Sequence, residues 1–206
     1  MSDRRTEVLD HARHVIMRDG LGTTSLRRIS REGGYTTGVL SYYFADKREL
    51  LAACFDWTHR TWLDHAEGKL AEAASPEESL RTYVDIAIPR DEERQREWRL
   101  WLEFCVAAVG DPELAGQLLR HDSRWSALTA KTFERWQQAG LVDGTLAPDE
   151  QGATLIQLAD GLGLRAILTG DWDDARRRFV ATLRLLGVSE ALAAAALATP
   201  DATEAT

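Results

Sequence analysis

Thr24 to Lys47 reads T-S-L-R-R-I-S-R-E-G-G-Y-T-T-G-V-L-S-Y-Y-F-A-D-K. Two short helices joined by a tight turn account for it. Ser25 to Glu32 puts Leu26 and Ile29 on one helical face and Arg27, Arg28 and Arg31 around the rest. Gly33-Gly34 supplies the stop, because glycine accepts the left-handed backbone a turn needs. Thr36 is placed to cap the second helix through its hydroxyl. Along that helix Leu40 and Phe44 face inward, and Thr37, Gly38, Ser41 and Tyr42 face outward. Small polar groups and an aromatic on a free helix face, beside an arginine-rich helix, make the composition of a helix-turn-helix. Its second helix enters the major groove while basic residues hold phosphates.

The run G-Y-T-T-G-V-L-S-Y-Y-F-A-D-K-R-E-L-L, residues 34–51, resembles the recognition helix and following helix of the tetracycline-repressor (TetR) family. Gly34, Thr36, Gly38, Leu40, Tyr42, Phe44, Lys47 and Leu50 carry the resemblance. Ser41 departs from it, where many members have tyrosine, and so does Tyr35, where a small aliphatic is usual. Ser41 followed by Tyr42-Tyr43-Phe44 is similar to the choline-repressor (BetI-like) branch. The match covers about Arg5 to Phe55. It continues more loosely through W-L-E-F-C at 101–105 and L-A-D-G-L-G-L-R at 158–165. The resemblance implies an all-α chain, with an N-terminal three-helix helix-turn-helix head on a larger antiparallel helical body for ligand binding and dimerisation. It implies a regulator, a repressor released from a palindromic operator by a small molecule. The family pattern and the free helix faces together assign Arg27, Thr37, Gly38, Ser41 and Tyr42 to base edges. Ser25, Arg28, Thr36, Tyr43 and Lys47 go to phosphates.

The chain has 206 residues and a formal net charge of −8, an odd sign for a DNA binder. Residues 1–48, however, hold nine Lys/Arg and six Asp/Glu, so the head is +3 and the remainder −11. Local sign governs attraction to phosphate. Cys54 and Cys105 are the two cysteines, and their spacing fits neither a disulfide framework nor a zinc site. No apolar run approaches the ~20 residues of a membrane span. A cytoplasmic protein without a cofactor and without a membrane partner is expected.

The expected division is a head at 1–48, a helical body at 49–198 and a disordered tail at 199–206. Helices are expected over Thr6–Asp19, from a cap at Asp46 to about Ala73, from Ser75-Pro76 to near Pro89, and over Asp91–Val109. They resume from Pro112 to Gly140, over Asp149–Leu168 and over Asp171–Leu186. In the last two, Gly152, Ile156, Ala159, Gly163, Ala166 and Gly170 put mostly small residues on one face. Close helix approach through that stripe, with Trp172 and Phe179 on the next helix, gives an expected two-fold homodimer.

Seven tryptophans are many for this length. Trp62, Trp101 and Trp125, with Tyr83, Phe104, Cys105 and Leu128, are the expected wall of a site for a small apolar or cationic effector. Plain core packing is the competing reading for each aromatic. A regulator without an effector, whose body only dimerises, is the alternative function. Catalysis is disfavoured. Cys54 and Cys105 sit in apolar surroundings, and His11, His14, His59 and His65 match no metal or triad spacing.

Overall fold

The computed structural model of the chain describes residues 4–197, so the tail expected at 199–206 lies outside the described residues. Among those residues the secondary structure is helical: α1 (Arg4–Asp19), α2 (Leu26–Glu32), α3 (Thr37–Tyr43), α4 (Lys47–Glu72), α5 (Pro76–Ala87), α6 (Glu92–Ala108), α7 (Pro112–Gln138), α8 (Pro148–Thr169), α9 (Trp172–Leu185) and α10 (Glu190–Leu197). An isolated antiparallel bridge joins Val142 to Val188.

The helix starts follow from capping chemistry. Asp46 accepts from the Glu49 N–H at 2.8 Å, and the Glu49 carboxylate reaches back to the Ala45 N–H at 2.7 Å. Ser75 and Glu78 repeat this pairing at the head of α5, at 3.1 and 2.7 Å. The helix α10 was not expected. Its sequence, E-A-L-A-A-A-A-L, has weak periodicity but high intrinsic helix propensity. Arg176 completes it by donating to the Ala196 carbonyl, at 3.2 Å.

The described residues divide into two compact units, 4–64 with 93–121 and 65–92 with 122–197. This is not the break at 48/49 that the sequence suggested. In the first unit α1 buries Val8, Leu9, Ala12, Val15 and Ile16 against Ile29, Leu40 and Phe44 of the short helices. The cluster also contains Leu50, Cys54 and Phe55 of α4 with Leu100 and Phe104 of α6. Polar ties reinforce it. Arg13 bridges Glu97 at 2.9 Å, and Arg48 bridges Asp111 at 2.6 Å.

The turn glycines have different reasons. Gly34 takes φ +68° and needs to be glycine for that. Gly33, at φ −78°, does not. A Cβ there would lie 2.4 Å from the Tyr35 ring and 2.8 Å from His11. Tyr35 stacks edge-on against His11 and lies beneath the Arg4 guanidinium, 4.8 Å from its ring centre. The large residue at 35 is therefore accommodated by the missing side chain at 33.

In the second unit α8 packs so closely on α7 that a Cβ on Gly152 would lie 2.9 Å from the Ala130 nitrogen. Further along the same pair, Asp160 of α8 and Asp122 of α7 are half-buried. Burial pushes the Asp160 carboxyl up to about 7, with the charge on Asp122 adding to it. Burial raises Asp122 as well.

Gly33→Ala is expected to lower Tm and operator affinity together, by about 1–3 kcal/mol of overpacking. The double variant with Tyr35→Ala should recover most of the loss, and a thermal-melt double-mutant cycle checks the coupling. For Asp160 the folded value lies above the ordinary 3.8, so the folded state holds the extra proton between about pH 4 and 7. Stability should fall as pH rises through that window. Asp160→Asn should flatten the fall and raise the urea midpoint at pH 8 more than at pH 5.

Candidate nucleic-acid interface

The free face of α3 carries Thr37, Gly38, Ser41 and Tyr42, all exposed. Tyr42 is 83% exposed, while Leu40 and Phe44 on the opposite side are 0% and 1% exposed. The inner pair fixes the helix in the head core, so the outer four have no other direction available. Tyr42 leans edge-on against Tyr43, ring centres 5.0 Å apart. Around Gly38 the protein leaves room: the nearest atom to an added Cβ is the Thr36 hydroxyl at 3.8 Å. Arg27 projects from α2 in an exposed position.

The residues expected at phosphates are placed less uniformly. Thr36 occupies the N-cap position of α3, but its side chain makes no capping hydrogen bond. Its hydroxyl is exposed rather than used as the cap that its position suggested. Ser25 does cap α2, accepting from the Arg28 N–H at 3.2 Å. Arg28 is not an open cation: it bridges Asp19 at 2.9 Å and Glu32 at 3.0 Å. Arg18 holds the same two carboxylates and keeps both below the usual carboxylate range. Lys47 donates to the Leu21 carbonyl at 2.6 Å, and Tyr43 is half-buried. Among the described head residues, Arg27 and Arg31 are exposed and make no hydrogen bond or ion pair. Arg31 was not assigned a contact from the sequence, because helical spacing alone does not reveal which arginines find carboxylates.

The residues expected at the effector divide between the units. Trp62, Trp101, Phe104 and Cys105 belong to the first, and Tyr83, Trp125 and Leu128 to the second. Two are corrected to core. Phe104 is 0% exposed and stacks on Phe55. Tyr83 is 3% exposed, and its hydroxyl pairs with Thr129 at 2.8 Å. Trp62, Trp101, Cys105, Trp125 and Leu128 are half-buried.

The expected dimer stripe is also redirected. Gly152, Ala159, Gly163 and Ala166 are buried within the single chain, and Gly152 sits on α7. Phe179 is a core residue at 0% exposure, stacked near Tyr83. Gly170 ends α8 with φ +74°. Ile156 and Trp172 are half-buried. Gly152 serves a close helix contact within the chain, with Ala130 and Ser126 of α7 as its neighbours. The apolar groups left outside are Leu164 and Leu168 on α8 and Leu185 on α9, at 38%, 76% and 83% exposure.

Residues 8–54 match the family described as bacterial regulatory proteins, tetR family. Residues 76–186 match the C-terminal region of BetI-type transcriptional repressors. The chain belongs to the TetR family, in its BetI-type branch. The regulator BetI of Cronobacter sakazakii is 31% identical over 174 residues, 81% of each chain. The regulator PksA of Bacillus subtilis is 26% identical, over 80% of this chain and 79% of its own. Among solved structures, a Saccharomonospora viridis protein in complex with choline superposes with a TM-score of 0.81 at 22% identity. That match covers 92% of this chain and all of the other. A TetR regulator from Haloarcula marismortui gives 0.79 at 19% identity, over 91% of this chain. This TetR-family protein is a DNA-binding transcriptional regulator and not an enzyme. Among its described residues no helix is long and apolar enough to cross a membrane.

Arg27 and Arg28 should therefore behave differently. Arg27→Ala is expected to keep the wild-type Tm, weaken the operator complex by about 1–3 kcal/mol and relax preference at one base pair per half-site. Arg28→Ala should lower Tm, because Asp19 and Glu32 lose a partner, and should leave the binding-site logo unchanged. Thermal melts and a randomised-operator selection on both variants check this.

Proposed function

We propose that the protein represses transcription as a two-fold homodimer on a palindromic operator and is released by a small-molecule effector. The observation that carries the DNA reading is the exposed face of α3 beside the unpaired Arg27 and Arg31. Gly38 supports it, since nothing inside the protein crowds that position. A glycine there suits a backbone that comes close to something outside the chain. Arg27, Thr37, Ser41 and Tyr42 then read base edges, and Thr36, Tyr43 and Arg31 meet the flanking phosphates. Lys47 reaches phosphate only by giving up the Leu21 carbonyl.

A second copy gives the palindrome its physical sense, because two heads on one two-fold axis read two half-sites about 34–36 Å apart. The exposed Leu164, Leu168 and Leu185 are the apolar contribution that such a partner would cover. Gly161, with open space around it, lies on the same face of α8 and permits close approach. The effector, small and apolar or cationic, shifts the population toward dimers whose head spacing no longer fits. For release it must bind that form more tightly than the DNA-bound one. The choline held by the Saccharomonospora viridis protein supports a small-molecule effector.

Leu168→Arg tests the assembly. It should convert the dimer to a folded monomer in sedimentation experiments and abolish tight operator binding, while helicity by circular dichroism is retained. A variant that sediments as a dimer would remove this face from the proposal. Footprinting of the wild type on selected genomic fragments should reveal two protected half-sites about one helical turn apart.

A further inference from the structure

His59 lies on α4 in the first unit and is 4% exposed. Neither of its ring nitrogens has a hydrogen-bond partner among the protein's described groups. Three rings surround it: Phe55 at 3.9 Å, Trp62 at 5.0 Å and His121 at 5.0 Å between centres. The polar groups nearby are engaged. His121 faces Asp56 at 3.3 Å, and Glu97 takes both Arg13 and the Trp62 indole. His59 is thus a buried donor and acceptor left unanswered, while His121 and Glu97 beside it each face a partner. Such a group costs stability relative to an apolar side chain of similar size. The chain uses leucine and phenylalanine freely in this same cluster, so the fold itself does not require an imidazole here.

We infer that His59 is the polar anchor of the effector site, and that the effector is an uncharged small molecule presenting a hydroxyl on a flat apolar body. This rests on the reading of the protein as an effector-responsive regulator and names the ligand class of that response. Burial, and then the neighbouring His121, hold His59 neutral by pushing it down to about 3. A neutral imidazole offers one N–H donor and one bare nitrogen acceptor. A hydroxyl matches both, since it donates and accepts through one oxygen. The flanking Phe55 and Trp62 rings suit a flat partner. The position also suits regulation. His59 stands on the helix that begins at Lys47, in the same compact unit as α1 to α3. A molecule held there acts on the elements that present Arg27 and the outer face of α3.

Phenol is the probe, with toluene as the same shape lacking the hydroxyl. With phenol at about ten times its Kd the wild-type Tm should rise by about 3–5 °C, and toluene at the same concentration should raise it less. His59→Leu should raise the Tm of the unliganded protein by about 2–6 °C and remove the difference between phenol and toluene. His59→Gln, which keeps a donor and an acceptor, should retain part of that difference. A fall in Tm for His59→Leu, equal shifts by phenol and toluene in the wild type, or an undiminished phenol effect in His59→Leu would each overturn the inference. Operator binding by the wild type is measured separately. Its absence would sink the DNA reading while leaving the thermal comparison intact, and its presence with a failed phenol comparison would sink the anchor alone.

Discussion

The buried face of α4 is the constraint on which the first unit depends. Leu50, Leu51, Cys54 and Phe55 are all 5% exposed or less, and they fill the space between the head helices and α6. A fully buried phenylalanine or leucine contributes about 1.5–3 kcal/mol, so this face alone outweighs any single polar tie. Cys54 shows how close the packing is. Its thiol donates to the Leu9 carbonyl at 3.7 Å, and burial pushes it up to about 12. It is a small core residue, far from reactivity. Because α4 is shared by the head core and the α6 contact, a displacement of α6 cannot leave the head helices untouched.

Charge is arranged to leave few cations available. The head has a positive balance, yet most of its arginines are spent on carboxylates. Arg18 and Arg28 share Asp19 and Glu32, and Arg13 and Arg48 reach acids on α6 and at the start of α7. The exposed ones, such as Arg48 with Glu113, add little stability individually. Their larger effect is to fix the orientation of α2 and to concentrate the unpaired positive charge at Arg27 and Arg31. In the proposed DNA contact, two open guanidinium groups beside a neutral α3 face would supply local positive charge without a broadly basic surface, which fits an acidic chain.

Both units contain polar groups that the fold holds at a cost. His59 is buried neutral with its nitrogens unanswered, and Asp160 faces Asp122 across α7 and α8 with a carboxyl that resists ionisation. Arg176, 4% exposed, pairs through its terminal nitrogens with Asp85 and the carbonyls of Ile88 and Ala196, and leaves its Nε without a partner. It is a structural clamp for α10.

Local chemistry was legible in the sequence. The caps at Asp46 and Ser75, the prolines at 76 and 112, and the stop at Gly33-Gly34 placed the helices near their observed ends, because these signals act within one turn of chain. The outward face of α3 was legible for the same reason. Partners were not. The spacing of Gly152, Ala159, Gly163 and Ala166 marked one helix face, but periodicity defines a face without naming what covers it; these four are buried within the single chain, Gly152 against α7. Arg28 and Arg27 look alike in sequence and differ only in whether carboxylates stand within reach. Phe104 and Tyr83 were grouped with half-buried tryptophans because aromatic spacing carries no measure of burial. His59 had no signal at all, since an unanswered hydrogen bond exists only once every neighbour has been placed. The sequence by itself determined most of the helices, the turn and the outward face of α3, which depend on neighbours along the chain. The tertiary structure decided which charges stay open, which aromatics are core and which buried polar groups are left without a partner, because those depend on where side chains from different helices come to lie.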